Sequence, residues 1–159
     1  MKQYNEVLKN ALNILAHKEL YAYFYGAKGQ VLTESVMNAL INSEPQHFSR
    51  YTPEQLKQIK DYSRGKIGYD CSGFITAISG VTGSSANQWK QCLPNPTLAY
   101  GLCGSILYKK GHIGIDIGYG MFLHFPTEGR TCELGYIRDY DWTNSGLLKD
   151  VNYVGASCV

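Results

Sequence analysis

The order of the predicted secondary structure constrains the fold more than any other feature of this 159-residue chain. Up to Gly80 the apolar residues recur mainly at helical spacing, whereas from Gly104 onward short β-prone runs alternate with glycine-containing turns. Between these parts, residues 81–95 are rich in Gly, Ser and Asn and are predicted to be mostly loop. Helices followed by strands predict an α+β domain, with N-terminal helices packed on a small antiparallel β-sheet.

Three helices are predicted ahead of residue 66. Residues 3–21 and 33–42 have the apolar spacing of amphipathic helices. A third helix over residues 52–64 begins with Thr52-Pro53-Glu54-Gln55, the sequence pattern of a capping box. The chain length suits one domain with one core, so residues 1–159 are predicted to form a single domain.

The C-terminal part predicts a small sheet. Residues 105–108, 112–117 and 121–125 are short β-prone runs separated by turns, which is typical of an antiparallel meander. Residues 136–140 and 151–154 are expected to add edge strands.

A single cysteine stands where a further helix should begin, within residues 68–80. Asp70 is predicted to cap that helix, and Gly80 is predicted to end it. Cys71 would then lie in the first turn, where the helix dipole favours the thiolate, which is the nucleophilic form. The alternative is a buried, unreactive thiol, because free cysteine is among the most buried residue types.

Two histidines in the predicted sheet favour the catalytic alternative. His112 opens the second strand and His124 lies near the end of the third, so an antiparallel hairpin brings them together. A cysteine facing paired histidines has the composition of a nucleophile, a base and a group that orients the base. A metal site built from Cys71, His112 and His124 is the competing interpretation, but no fourth ligand stands at recognisable spacing.

Charge and composition exclude several classes of function. The formal net charge is +2 and the basic residues are scattered, so we expect no nucleic-acid partner. No apolar run reaches the length of a membrane span or a signal peptide. The five cysteines form no CxxC pair, which argues against a disulfide framework and a zinc ribbon, and most are expected to be reduced. No metal and no cofactor is expected.

These motifs resemble those of the NlpC-type family of bacterial cell-wall cysteine peptidases, which have a reduced papain-like fold. The sequence Asp70-Cys71-Ser72-Gly73-Phe74 looks like the nucleophile motif of that family, and Gly111-His112-Ile113-Gly114-Ile115 looks like its histidine strand. His124 stands where the family keeps its third polar residue. The segment Tyr23-Phe24-Tyr25-Gly26-Ala27 is similar to the segment that supplies an active-site tyrosine, which assigns that role to Tyr23.

The resemblance implies hydrolysis of an amide bond in the peptide stem of peptidoglycan, between γ-D-glutamate and a diamino acid. Cys71 would attack the carbonyl, His112 would hold the thiolate and later protonate the leaving amine, and His124 would orient His112. The oxyanion is expected to meet the backbone N–H of Cys71 and the hydroxyl of Tyr23.

The two neighbours of the cysteine leave two roles open. Asp70 and Ser72 would be placed to receive a substrate amine, and a helix cap is an equally open role for Asp70.

The chain departs from the family pattern at two places. Residues 30–66 form a helical insertion, which is expected to border the substrate cleft. Gly104-Ser105 replaces the Gly-Asp that the family has on the preceding strand, which removes a carboxylate.

Other functions remain open from the sequence. They are a papain-like cysteine acyltransferase, an N-acetylmuramoyl-L-alanine amidase and a non-catalytic wall-binding domain. We expect a monomer that is made in the cytoplasm and acts on the cell wall after release or delivery, as a phage-type lysin, a tail enzyme or a secreted effector does.

Overall fold

The computed structural model describes residues 1–95 and 102–156. The helices in chain order are α1 (Tyr4–Ala16), α2 (Glu34–Ser43), α3 (Pro45–Phe48), α4 (Pro53–Ser63), α5 (Cys71–Ser79) and α6 (Ser85–Lys90). The strands are β1 (Lys2–Gln3), β2 (Tyr21–Tyr23), β3 (Lys28–Val31), β4 (Ile67–Tyr69), β5 (Cys92–Asn95), β6 (Ile106–Lys109), β7 (His112–Gly118), β8 (Met121–His124), β9 (Glu133–Tyr136), β10 (Asn144–Leu148) and β11 (Val151–Asn152). The predicted α+β class is confirmed.

The main sheet has six antiparallel strands in the order β5-β10-β6-β7-β8-β9. One face packs against α1 and α5, where Phe74, Ile75 and Ile78 of α5 meet Ile113 and Ile115 of β7 in one buried cluster. The opposite face carries a smaller buried cluster that consists of Leu107, Phe122, Ile137 and Trp142. The cysteine helix therefore lies against the central strands, as the helical and β-strand periodicities predict.

A second, three-stranded sheet joins the two ends of the helical insertion. Strand β4 lies between β2, to which it is parallel, and β3, to which it is antiparallel. Val31 and Ile67 pair with each other, so the chain leaves for the insertion and returns at adjacent positions. The insertion helices α2, α3 and α4 bury their own apolar cluster against this sheet, which consists of Ala22, Phe24, Ala27, Leu32, Met37, Phe48 and Ile59.

The prediction for residues 81–95 is wrong, because this segment contains a helix and a strand. Ser84 caps α6 by accepting a hydrogen bond from the Asn87 N–H at 3.2 Å, and the buried side chain of Gln88 donates to the carbonyl oxygens of Ser72 and Val81. Strand β5 then pairs with β10. The sequence did not indicate this helix, because its buried residue, Gln88, is polar and contributes no apolar periodicity.

The predicted edge strands also need correction. Strand β9 ends at Tyr136, and a 3₁₀ turn over Ile137–Asp139 replaces the strand expected at residues 136–140. Strand β11 pairs in parallel with β1, away from the main sheet. The strand that does join the main sheet here is β10, which the sequence pattern did not indicate. No helix within the described ranges combines the length and hydropathy needed to cross a membrane.

Candidate active site

Cys71 is the first residue of α5, at the position that the sequence predicted. The carboxylate of Asp70 caps the helix by accepting a hydrogen bond from the Gly73 N–H at 2.7 Å, and Gly80 ends the helix in the left-handed conformation. Gly73 is required here, because a Cβ at this position would lie 2.6 Å from the carbonyl oxygen of Ala27. The helix start is therefore pressed tightly against the turn that follows β2.

His112 and His124 are neighbours, as the hairpin geometry predicts. His112 is the first residue of β7 and His124 is the last residue of β8, and Nε2 of His112 lies 2.8 Å from Nδ1 of His124. Both side chains are buried. This hydrogen bond leaves Nδ1 as the ring nitrogen of His112 that is available to a further partner.

The sulfur of Cys71 lies beside the strand that carries His112. The backbone N–H of Ile113, the next residue after His112, is near enough to this sulfur to lower the pKa of the thiol. Gly111, the residue before His112, lines the same cavity as Cys71. The helix start and the start of β7 thus meet at residues 111 and 113, while the ring of His112, which lies between them in the chain, packs on Trp142.

Two aromatic side chains cover the histidine pair. The ring of Trp142 stacks on His112 with centroids 5.3 Å apart and planes at 8°, and Tyr140 meets His124 edge-on at 5.3 Å. Gly114 makes room for this arrangement, because a Cβ there would lie 3.0 Å from the Trp142 ring. The indole excludes water from one face of the imidazole and fixes its plane.

Burial keeps the cysteine and the histidines uncharged before substrate binds. Desolvation, with a smaller repulsion from Asp70, raises the pKa of the Cys71 thiol to about 11, although N–H groups of Ile113 and Ser72 lower it. Desolvation lowers the pKa of His112 to about 4 and that of His124 to about 3. The thiolate expected from the helix dipole is therefore not the form at neutral pH, because loss of solvation outweighs the dipole.

A cavity of about 430 Å³ opens beside Cys71. Tyr23 and Tyr25 form part of its wall, together with Lys28, Ser72 and Glu44 of the insertion. Burial also raises the pKa of Tyr23, so its hydroxyl keeps its proton and is a hydrogen-bond donor. The presence of Glu44 in the wall agrees with the prediction that residues 30–66 border the cleft.

Asp70 and Ser72 already hold an amine, which comes from Lys28. The ammonium of Lys28 lies 2.7 Å from Oδ1 of Asp70 and 2.5 Å from Oγ of Ser72. Sequence reasoning missed this contact, because Lys28 stands on β3 and reaches Asp70 only through the pairing of β3 with β4. Asp70 is thus a helix cap and the partner of an internal cation.

A second buried polar cluster joins the insertion to the loop after β8. The carboxylate of Glu128 accepts hydrogen bonds from Tyr51 at 2.8 Å and lies 2.6 Å from Nε2 of His47. The ring of His47 stacks on Tyr25 at 3.9 Å, and Tyr25 lines the cavity. This cluster fixes one wall of the cavity.

The remaining cysteines and potential metal ligands were compared within the part of the chain that the structure describes. Cys71, Cys92 and Cys132 are free thiols, and Cys103 is disulfide-bonded. Cys158 lies outside the described residues. Among residues 1–95 and 102–156, no group of three or more His, Cys, Asp or Glu side chains is arranged to hold a metal ion.

Comparison with solved structures identifies the fold. NlpC1 from Trichomonas vaginalis is 16% identical with a TM-score of 0.54, and the match covers 87% of this chain and 42% of that chain. NlpC2 from the same organism is 15% identical with a TM-score of 0.52, over 89% and 45% of the two chains. The peptidoglycan hydrolase RipB from Mycobacterium tuberculosis is 15% identical with a TM-score of 0.50, over 91% and 66%.

No protein-family model and no curated protein matches the chain. The chain spans less than two thirds of each of these three structures. The predicted NlpC-type, papain-like fold is confirmed by these likenesses.

Proposed function

We propose that this chain is a cysteine peptidase that hydrolyses the bond between γ-D-glutamate and a diamino acid in the peptide stem of peptidoglycan. The observation that carries the proposal is the meeting of Cys71, at a capped helix start, with the strand whose first residue belongs to the His112–His124 pair. The NlpC-type fold supports it, and one of the similar structures is a peptidoglycan hydrolase.

The hydrogen bond between the histidines accommodates the tautomer that the reaction needs. With a proton on Nε2, His112 donates to Nδ1 of His124 and keeps a lone pair on its own Nδ1. That lone pair accepts the proton of Cys71 while the sulfur bonds to the substrate carbonyl carbon. His112 then gives the proton to the departing amine as the C–N bond breaks, and a water molecule hydrolyses the thioester with His112 again as base.

The low pKa of His112 and the high pKa of Cys71 favour proton transfer during attack over a preformed ion pair. His124 accepts the hydrogen bond of His112 and so stabilises the imidazolium that forms, while Trp142 holds the ring in plane. His112 is thus proposed to act as general base and acid, and His124 to position it.

Two donors are available for the oxyanion. Cys71 is the first residue of its helix, so its backbone N–H has no carbonyl partner within that helix. The protonated hydroxyl of Tyr23 lies in the same cavity wall. We assign the developing negative charge to these two groups.

Mass spectrometry of digested stem peptides tests the proposal. Incubation with disaccharide-linked stem peptides should release a fragment with a new free amine on the diamino acid, and Cys71→Ser should lose this product while keeping the wild-type circular dichroism spectrum. A new amine on L-alanine would instead identify an amidase, a transferred acyl group an acyltransferase, and intact peptides a binding domain. Any of these three results overturns the proposal, as does cleavage by Cys71→Ser.

A further inference from the structure

Lys28 places a cation inside the wall of the cleft beside Cys71. Its ammonium has three N–H donors, and two of them are used by Oδ1 of Asp70 and Oγ of Ser72. The side chain of Lys28 is still 44% exposed and lines the cavity. The third donor is therefore open to the cavity.

One carboxylate oxygen of Asp70 is already fully used by donors from the protein. Oδ1 accepts from the Gly73 N–H, from Ser72 and from Lys28, and Oδ2 accepts from the Gly26 N–H at 3.2 Å. An ionised carboxylate offers about two acceptor positions on each oxygen, so Oδ1 is fully used and one position remains on Oδ2. A substrate amine can bind between Oδ1 of Asp70 and Oγ of Ser72 only by displacing Lys28.

The position of Lys28 is fixed by the backbone. Ala27 N–H bonds to the Phe24 carbonyl, and the Asp70 N–H bonds to the Ala27 carbonyl at 3.0 Å, which holds the start of β3 against the start of α5. The alkyl stem of Lys28 passes Gly73, where a Cβ would lie 3.3 Å from its Cδ. Displacement of the ammonium would therefore break a preformed contact.

We propose that Lys28 occupies, with its own ammonium, the position where a substrate amine would bind, and that the cleft therefore selects stem peptides whose N-terminal amine is acylated. Stems that are still joined to the glycan have such an amine. The open N–H of Lys28 then donates to a carbonyl or carboxylate of the stem, whereas a free ammonium meets a like charge. Glu44, the third charged group named in the wall, comes from the insertion and attracts an ammonium, so the preference tested here is the part that depends on Lys28 at Asp70 and Ser72. This inference rests on the proposed function, because it concerns the substrate of that same cleft.

The test compares two stem peptides that differ only in a free or an acetylated N-terminal amine. We expect the wild-type protein to cleave the acetylated peptide with a kcat/KM at least about tenfold higher, a ratio that a single like-charge contact can supply. Lys28→Met, which keeps the alkyl stem but removes the charge, should lower this ratio to about one or below, because Asp70 is then free to take the amine. Lys28→Arg should keep the wild-type preference.

Lys57→Met is the matched control, because it removes the same charge from an exposed helix position that is paired with Asp61. It should leave the preference unchanged. An unchanged preference in a folded Lys28→Met protein, or a wild-type preference for the free amine, overturns the inference.

Calorimetric binding of both peptides to Cys71→Ala, with and without Lys28→Met, separates the two proposals. If the wild-type protein cleaves neither peptide but Lys28→Met shifts binding toward the free amine, the proposed function fails and the role of Lys28 stands. If neither peptide binds to either protein, the role of Lys28 fails as well.

Discussion

Asp116 lies in the middle of β7 with 2% of its surface exposed, and its Oδ1 accepts a hydrogen bond from the Gly118 N–H at 2.8 Å. Burial raises the pKa of its carboxyl from 3.8 to about 6, and the bond from Gly118 offsets part of that effect. Above this pH the native protein holds an ionised carboxylate in a poorly solvated place. The substitution Asp116→Asn removes that charge and keeps an oxygen acceptor for Gly118.

The sign of the effect follows from the raised pKa. The carboxyl contributes its full stabilisation below the unfolded pKa of 3.8, and this contribution is lost as the pH rises through about 6. A shift of about 2 units corresponds to about 3 kcal/mol in the free energy of unfolding. The asparagine amide adds two buried donors, whose energetic effect does not vary with pH. The predicted quantity is therefore the pH dependence of the difference between variant and wild type.

Urea unfolding of both proteins, followed by circular dichroism from about pH 4 to about pH 7.5, measures this difference. The free energy of unfolding of Asp116→Asn should rise relative to wild type by about 2 kcal/mol across that range, because most of the titration falls within it. The buried histidines titrate in both proteins and cancel. Asp139→Asn removes the same charge from an exposed position and serves as control. A difference that stays constant with pH would refute the reasoning.

Three further predictions concern the candidate site. Alkylation of Cys71 by iodoacetamide should accelerate about tenfold per pH unit between about pH 7 and pH 10, because the pKa of the thiol is about 11. The rate is measured by peptide mapping, and a rate that is already constant below about pH 8 would indicate a preformed ion pair and contradict the prediction. Replacement of His112 by Ala should lower kcat by about 10²–10⁴-fold, whereas His124→Gln should retain clearly more activity than His112→Gln, and the opposite order in kinetics on one stem peptide would exchange the two roles. Gly73→Ala should destabilise the domain by about 1–3 kcal/mol, because the added methyl meets the Ala27 carbonyl, and an unchanged urea midpoint would contradict this.

The parts of the fold that were predictable from the sequence are those with local signals. The cysteine helix had a cap, an apolar stripe and a terminal glycine within residues 70–80, and all three are observed. The His112–His124 contact was predictable because the hairpin between β7 and β8 is short. In a short hairpin the order of residues along the chain determines which residues of the two strands are neighbours. The roles of these side chains stay predictions.

The orientation of α1 shows where local pattern fails. The apolar spacing over residues 3–21 also places Leu12 and Leu20 on the buried face, which is wrong, because Leu12 is 46% exposed and Leu20 is 52% exposed. The face that packs against α5 consists of Val7, Ala11 and Ile14. The small side chain of Ala11 lets α1 and α5 approach closely. Which face of α1 is buried therefore depends on α5, which is remote in sequence.

The contacts of Lys28 and Glu128 could not be predicted from the sequence, for a different reason. Lys28 bonds a residue 42 positions away and Glu128 bonds one 81 positions away. Both contacts depend on the route of the insertion, whose ends meet only because β4 enters between β2 and β3. No periodicity along the chain encodes that route.

The buried carboxylate of Glu128 makes residues 30–66 inseparable from the rest of the protein. Its side chain is fully enclosed, and two of its three partners, His47 and Tyr51, belong to the insertion, while the third is Thr127. Deletion of the insertion would remove both of these partners and would uncover the carboxylate just four residues after His124, on the same connection that leads out of the hairpin. Residues 30–66 therefore help to hold the connection that follows His124, in addition to forming part of the cavity wall.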